Sequence, residues 1–111
     1  MQQIRRDVFQ AIADPTRRAI IGMLATQTMN LNHVAAAFDI SRPAISKHIK
    51  ILSECGLVTI SRKGRERICR ADLGQLHDVA EWVNQYQKMW NTKLDALGSF
   101  LEQEQSGHNN L

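Results

Sequence analysis

Cysteine is scarce in this chain of 111 residues, which contains only Cys55 and Cys69. Two thiols without metal-motif spacing support neither a disulfide framework nor a zinc cluster, and a reducing cytoplasmic location is the simplest expectation. No apolar run approaches the roughly 20 residues that a membrane-spanning helix needs. The N-terminal MQQIRRDVF has no long apolar stretch behind its charges, so no secretory signal is expected. Paired carboxylates, a Ser/His/Asp set and a phosphate-cradling glycine loop are all missing, with Gly64 standing alone, so the pattern offers no enzyme site and no cofactor site. What is present is enough for one domain, because an apolar fraction of 43% over this length builds a modest core.

Charge is divided unevenly. Between Ser41 and Arg70 lie eight Lys or Arg and two acids, whereas from Ala71 onward there are two bases and six acids. A basic middle suits a polyanion, and an acidic C-terminal part is expected to stay away from it.

The stretch Leu31 to Lys50, LNHVAAAFDISRPAISKHIK, reads as two short helices joined by a turn. Val34, Ala35 and Phe38 form one apolar stripe and Ile45 and Ile49 continue it one helix later, with Ile40 in the turn. In such a helix-turn-helix the first helix braces the second, which lies in the DNA major groove. Before it, Gln3 to Ala13 reads as a helix carrying Ile4, Val8 and Ile12. Asp14-Pro15 then starts a second helix to about Thr26, burying Ala19, Ile20, Met23 and Leu24. The flanking Arg17 and Arg18 are candidates either for solvated surface or for a phosphate. Thr28 to Asn30 reads as a loop, Asn30 caps a helix to Phe38, and Ser41 caps one that runs to Cys55 and stops at Gly56. Leu57–Ser61 and Arg67–Ala71 alternate as two strands around the basic Arg62-Lys63-Gly64-Arg65, a hairpin that must lean on the helices. From Asp72 a helical stripe follows through Leu73, Leu76, Val79 or Ala80, Val83, Tyr86, Trp90, Leu94, Leu97 and Leu101, with a break near 80–82 left open. The last residues, 105–111, are expected to be a flexible tail.

In this order the segments ADPTRRAIIGMLA, SRPAISKHIKILSECGLV and SRKGRERICRADL resemble the ArsR/SmtB family of winged-helix repressors. The likeness covers about Val8 to Leu73 and is looser through the final helix. It implies a mainly α fold with a small β-hairpin (α+β), a winged helix-turn-helix with a long C-terminal dimerisation helix, spanning residues 1–104 as one domain. It also implies a homodimer that binds a double-stranded DNA operator and represses transcription. The physics of the residues points the same way, since Lys and Arg displace duplex counterions and groove side chains add specificity. Helix 41–55 and wing 61–67 supply the candidate DNA-binding residues. Ser41, Arg42, Pro43, Ser46 and Lys47 lie on the outer face or tip of the helix. Lys50, Arg62, Lys63 and Arg65 suit phosphates, and His48 suits packing or a phosphate. The apolar surplus makes Val8, Leu76, Val79, Trp82, Val83, Tyr86, Trp90, Leu94 and Leu97 the candidate dimerisation residues, with the operator an inverted repeat.

The family's metal sensors commonly carry a C-x-C that aligns here with Asn30 and Asn32, poor ligands for a soft metal. Their second site, near the ends of the final helix, would find Asp72, His77 and Asp78 at its start but Lys88, Asn91 and Thr92 where the later partner belongs. The Trp82–Leu97 pattern resembles a subgroup not known mainly for metal sensing, so no metal is expected and no inducer is identified. The readings that stay beside the repressor are a metal- or thiol-responsive repressor using Cys55 or Cys69, and a winged helix that binds an acidic protein.

Overall fold

The computed structural model describes the backbone of residues 7–109 and the side chains of residues 7–105. The elements run α1 (Val8–Ile12), α2 (Pro15–Thr26), β1 (Met29–Asn30), α3 (Leu31–Ala36), α4 (Arg42–Glu54), β2 (Val58–Lys63), β3 (Glu66–Ala71), a 3-10 turn (Leu73–Leu76) and α5 (His77–Asn109). The chain divides into two compact units, Met1–Asp78 and Val79–Leu111. The part of the first expected helix before Asp7, including Ile4, lies outside the described residues.

Side-chain caps set the helix starts in the first unit. Asp7 and Gln10 exchange side-chain and backbone bonds at the head of α1, at 2.9 and 3.3 Å. Asp14 accepts from the Arg17 N–H at 3.0 Å, Asn30 from His33 N–H at 2.7 Å, and Ser41 from Ala44 N–H at 3.3 Å. Each cap takes up an N–H that has no intrahelical acceptor, and losing one costs about 1 kcal/mol. Pro15 and Pro43 sit in the first turns of α2 and α4, where a missing N–H is harmless. Gly56, at φ +78, ends α4 in the left-handed conformation that a Cβ disfavours, and an added Cβ would also lie 3.2 Å from Gln75.

The core of this unit is made by one face of each helix closing on the sheet. Ile20, Val34, Ile45, Ile49, Leu52, Leu57 and Cys69 are fully buried, joined by Val8, Ala11, Ile21, Leu24, Leu31 and Val58. Burying an Ile or Leu side chain contributes about 1.5–3 kcal/mol relative to leaving it exposed, so Ile45, Ile49 and Leu52 anchor α4 firmly. In α2 the buried face differs from the expected one, because Ile21 is buried whereas Ala19 is exposed and Met23 is half-buried. A β-branched Ile has more apolar area to hide than Ala, and the helix is rotated to hide it.

Two further departures concern elements, and the question left open at 80–82 is answered. The expected hairpin is part of a three-stranded antiparallel sheet of order β1-β3-β2, because Met29 and Asn30 pair with Cys69 and Ile68. Helix α3 ends at Ala36 rather than Phe38, since the Ala37 and Phe38 N–H groups reach back only three residues, to Val34 and Ala35. The long helix has no break at 80–82 and continues past Gln105 to Asn109, 33 residues in all. The irregularity lies before it, in the 3-10 turn, where Asp72 accepts from the Gly74 N–H at 3.2 Å.

The hairpin turn consists of Gly64 and Arg65, flanked by the Lys63–Glu66 pair. Gly64 has φ +64 and Arg65 does not have a positive φ, the pattern of a type II′ turn that matches the strands' right-handed twist. Helix pair α3–α4 followed by this hairpin is a winged helix-turn-helix.

Candidate nucleic-acid interface

Helix α4 hides Ile45, Ile49 and Leu52 and turns its other side to solvent, where Ser41, Arg42, Pro43, Lys47 and Lys50 are exposed and Ser46 is half-buried. Residues at i, i+4 and i+8 share a helix face, so Arg42, Ser46 and Lys50 stand in one row with Lys47 beside it. The Ser41 hydroxyl oxygen caps α4 by accepting from the Ala44 N–H.

The wing places its charges by strand register. Arg62 lies directly opposite Arg67, and Lys63 opposite Glu66. Opposed unlike charges stabilise a hairpin, whereas opposed like charges destabilise it by about 0.2–1 kcal/mol. Register thus sets Arg62 and Arg67 side by side on one face, and an anion placed between two such guanidinium groups offsets their repulsion.

Between α4 and the wing is an open cleft of about 670 Å³, lined by Arg42, Pro43, Ser46, Arg62 and Arg65 from the expected set. The same cleft is lined by Asn30, Asn32 and Arg67. None of these three is among the candidate DNA-binding residues that the sequence marks. The signal that marks Arg67 is its register opposite Arg62, which a hairpin centred on Gly64 supplies. Lys47, Lys50 and Lys63 are exposed outside the cleft lining. The cleft lining carries four guanidinium groups and one carboxylate, Glu66, a charge balance that suits an anion with several acceptor oxygens.

His48 leaves this face. It is half-buried, with Nδ1 3.4 Å from an Arg17 terminal nitrogen and 3.9 Å from the Asp14 carboxylate. Arg17 and Arg18 are themselves occupied at the end of α1. Arg17 donates to the Ala11 and Gln10 carbonyls at 2.7 and 2.9 Å, and Arg18 donates to Ile12 at 2.6 Å. The Asp14 carboxyl is held below its ordinary range, chiefly by the bond it accepts from the Arg17 N–H. Burial opposes this, and the Arg17 charge, joined by His48 when its ring is protonated, adds to the lowering. A depressed carboxylate pKa adds stability that is complete above the unfolded value and is lost as pH falls through the folded one. Asp14→Asn keeps a capping oxygen but no charge. The difference in melting temperature between it and the parent is expected to shrink as pH falls below about 4. A difference that stays constant down to strong acid would contradict this.

Cys69 is buried in β3 and burial pushes its thiol pKa up, although Arg67 pulls the other way. A thiol held protonated is a poor nucleophile and a poor ligand. Among the described residues no group of three or more His, Cys, Asp or Glu is placed to hold a metal ion. No helix among them is long and apolar enough to cross a membrane.

In the second unit α5 shows one exposed apolar face, with Trp82 at 52% and Trp90 at 60% exposure, alongside Val83, Tyr86, Met89, Leu94, Leu97, Phe100 and Leu101. The Trp82 and Tyr86 rings are 5.0 Å apart and tilted by 57°. Of the other expected dimerisation residues, Leu76 and Val79 are half-buried and Val8 is buried within its own chain.

A reading helix, a basic wing and a cleft for anions define a DNA-binding winged-helix protein. Residues 14–59 match the model of the bacterial regulatory proteins of the arsR family. The chain is 36% identical over 77 residues to the transcriptional repressor SdpR of Bacillus subtilis, covering 69% of this chain and 86% of that one. Among solved structures it is similar to an ArsR-like transcriptional regulator from Rhodococcus, with 33% identity, a TM-score of 0.66, and 86% and 87% of the two chains covered. It is also similar to the homodimeric winged helix-turn-helix DNA-binding domain of a possible ArsR-family regulator from Mycobacterium bovis. There the identity is 25%, the TM-score 0.56 and the coverage 78% of each chain. The chain belongs to the arsR family of transcriptional regulators.

Proposed function

We propose that the protein is a homodimeric, cytoplasmic repressor that binds an inverted-repeat operator. Residues 1–104 act as the DNA-binding and dimerising unit. The outer face of α4, with Arg42, Ser46 and Lys47, reads base edges, while Ser41 and Lys50 and the wing residues Arg62, Lys63, Arg65 and Arg67 hold phosphates. The observation that carries this reading is the cleft itself, which arginines of the helix and the wing line together. The two-fold partner follows from the exposed Trp82–Leu101 face and from the homodimeric neighbour in M. bovis. Two half-sites then lie about one helical turn, or a multiple, apart.

Lys47→Ala tests the assignment of the reading face. Competition between the operator and single-base variants is expected to show preference at one or two positions falling by about 1–3 kcal/mol, with others unchanged. Uniform weakening on every sequence would instead make Lys47 a phosphate contact.

A further inference from the structure

The bonds of Arg17 join three helices that the DNA reading treats separately. Its Nε and one terminal nitrogen hold the Ala11 and Gln10 carbonyls at the end of α1. Its backbone N–H is capped by Asp14 at the start of α2. Its remaining terminal nitrogen faces His48 Nδ1 at 3.4 Å, across 31 residues of sequence, on the helix that carries the reading face. A guanidinium only donates, so this contact is a hydrogen bond when the His48 ring is neutral with its proton on Nε2 and Nδ1 accepts. The Asp14 carboxylate, 3.9 Å from the same Nδ1, favours the opposite arrangement. The two neighbours therefore pull the half-buried ring toward different tautomers, and only the form with Nδ1 bare makes the Arg17 bond.

We propose that Arg17 is a positioning residue for operator recognition, acting through His48. Ile45, Ile49 and Leu52 hold α4 to the core by apolar contact, which is non-directional and tolerates a small roll of the helix about its axis. The Arg17–His48 bond is directional and lies to one side of that stripe, so it sets the roll at which Arg42, Ser46 and Lys47 meet base edges. Its other end is fastened to α1, so the reading angle of α4 follows the end of α1. This inference rests on the proposed DNA-reading role of α4. It gives the first turn of α2 a task other than touching phosphate, because the guanidinium is already committed to two carbonyls and a ring.

Arg17→Lys, His48→Ala and the double variant separate the possibilities. Lysine keeps the charge that a phosphate contact needs, yet one ammonium on a flexible stem does not reproduce the planar fork. Arg17→Lys and His48→Ala are each expected to lower affinity for the selected operator about tenfold, the size of one charge-assisted hydrogen bond. The double variant is expected to be no worse than either single one. The slope of log affinity against log salt is expected to stay unchanged. In the free parent protein, nitrogen-15 NMR of the His48 ring should show Nε2 protonated and Nδ1 bare, and Arg17→Lys should mix the two tautomers. His48→Ala leaves the Arg17 ties to α1 intact, so it reports even if Arg17→Lys does not fold. Full affinity in Arg17→Lys or in His48→Ala, additive losses, or a His48 ring that ignores Arg17 would each overturn the proposal. A parent protein that prefers no duplex over another would refute the DNA reading itself, and the tautomer measurement would still report on the bond.

Discussion

Replacing Trp82 and Trp90 of α5 with glutamate is expected to turn the protein into a folded monomer that has lost operator binding. Both side chains are more than half exposed within the chain, so neither replacement opens a cavity in the core around Ile20, Ile49 and Leu57. What they remove is the centre of an apolar stripe that also contains Val83, Tyr86, Leu94 and Leu97. Such a surface is costly to leave in water, and a second copy of the same helix is proposed to cover it. Linking two half-site readers raises affinity by about 10²–10⁴-fold over one reader, so separating them is expected to cost at least about a hundredfold. Sedimentation velocity at micromolar concentration reads the first effect and operator titration the second. A variant that still sediments as a dimer would move the interface elsewhere.

The second large effect concerns the wing, where function and stability are expected to diverge. Arg62 and Arg67 lie directly opposite one another on β2 and β3 and share the anion cleft. Their mutual repulsion disappears in Arg62→Gln/Arg67→Gln, so the double variant is expected to be as stable as the parent or more stable by up to about 1 kcal/mol. Its DNA binding is expected to suffer on every sequence alike. With about 0.9 counterions released per phosphate contact, loss of two contacts flattens the salt slope by about 1.8. That corresponds to about 60-fold weaker binding at 0.1 M salt, referred to 1 M. Thermal melts and a salt series on operator and unrelated duplexes measure the two effects. Loss of binding together with loss of stability would mean that the arginines build the hairpin and do not serve the DNA.

Much of this arrangement was legible from residue order because it depends on local chemistry. Asp14-Pro15, Asn30 and Ser41-Arg42-Pro43 mark helix starts, Gly56 marks a stop and Gly64 a turn, and the structure uses each in that way. The buried row Ile45, Ile49 and Leu52 follows from helical spacing alone, and fixing it fixes the outer row opposite. Contacts between residues far apart in sequence were not legible. Strand β1 is two residues long, too short for any periodicity, and exists because Cys69 and Ile68 offer it a partner. Arg17 looked like surface charge because its acceptors are backbone carbonyls and a ring 31 residues away. His48, read from sequence as suited to packing or a phosphate, meets Arg17 of α2 through the same contact. The continuity of α5 through 80–82 was also hidden, since no Gly or Pro in that segment argues either way.

The central claim is that the α4 face and the wing together read a two-fold DNA sequence. Selection of bound duplexes from a random pool by the protein, with affinities then measured across a salt series, tests it most directly. Enrichment of one inverted repeat is expected, with half-sites about 10 base pairs apart or a multiple of that. The selected site should be bound about 10³-fold or more tightly than unrelated duplex at physiological salt. A pool that stays random through the rounds, or binding that ignores salt, would contradict the account.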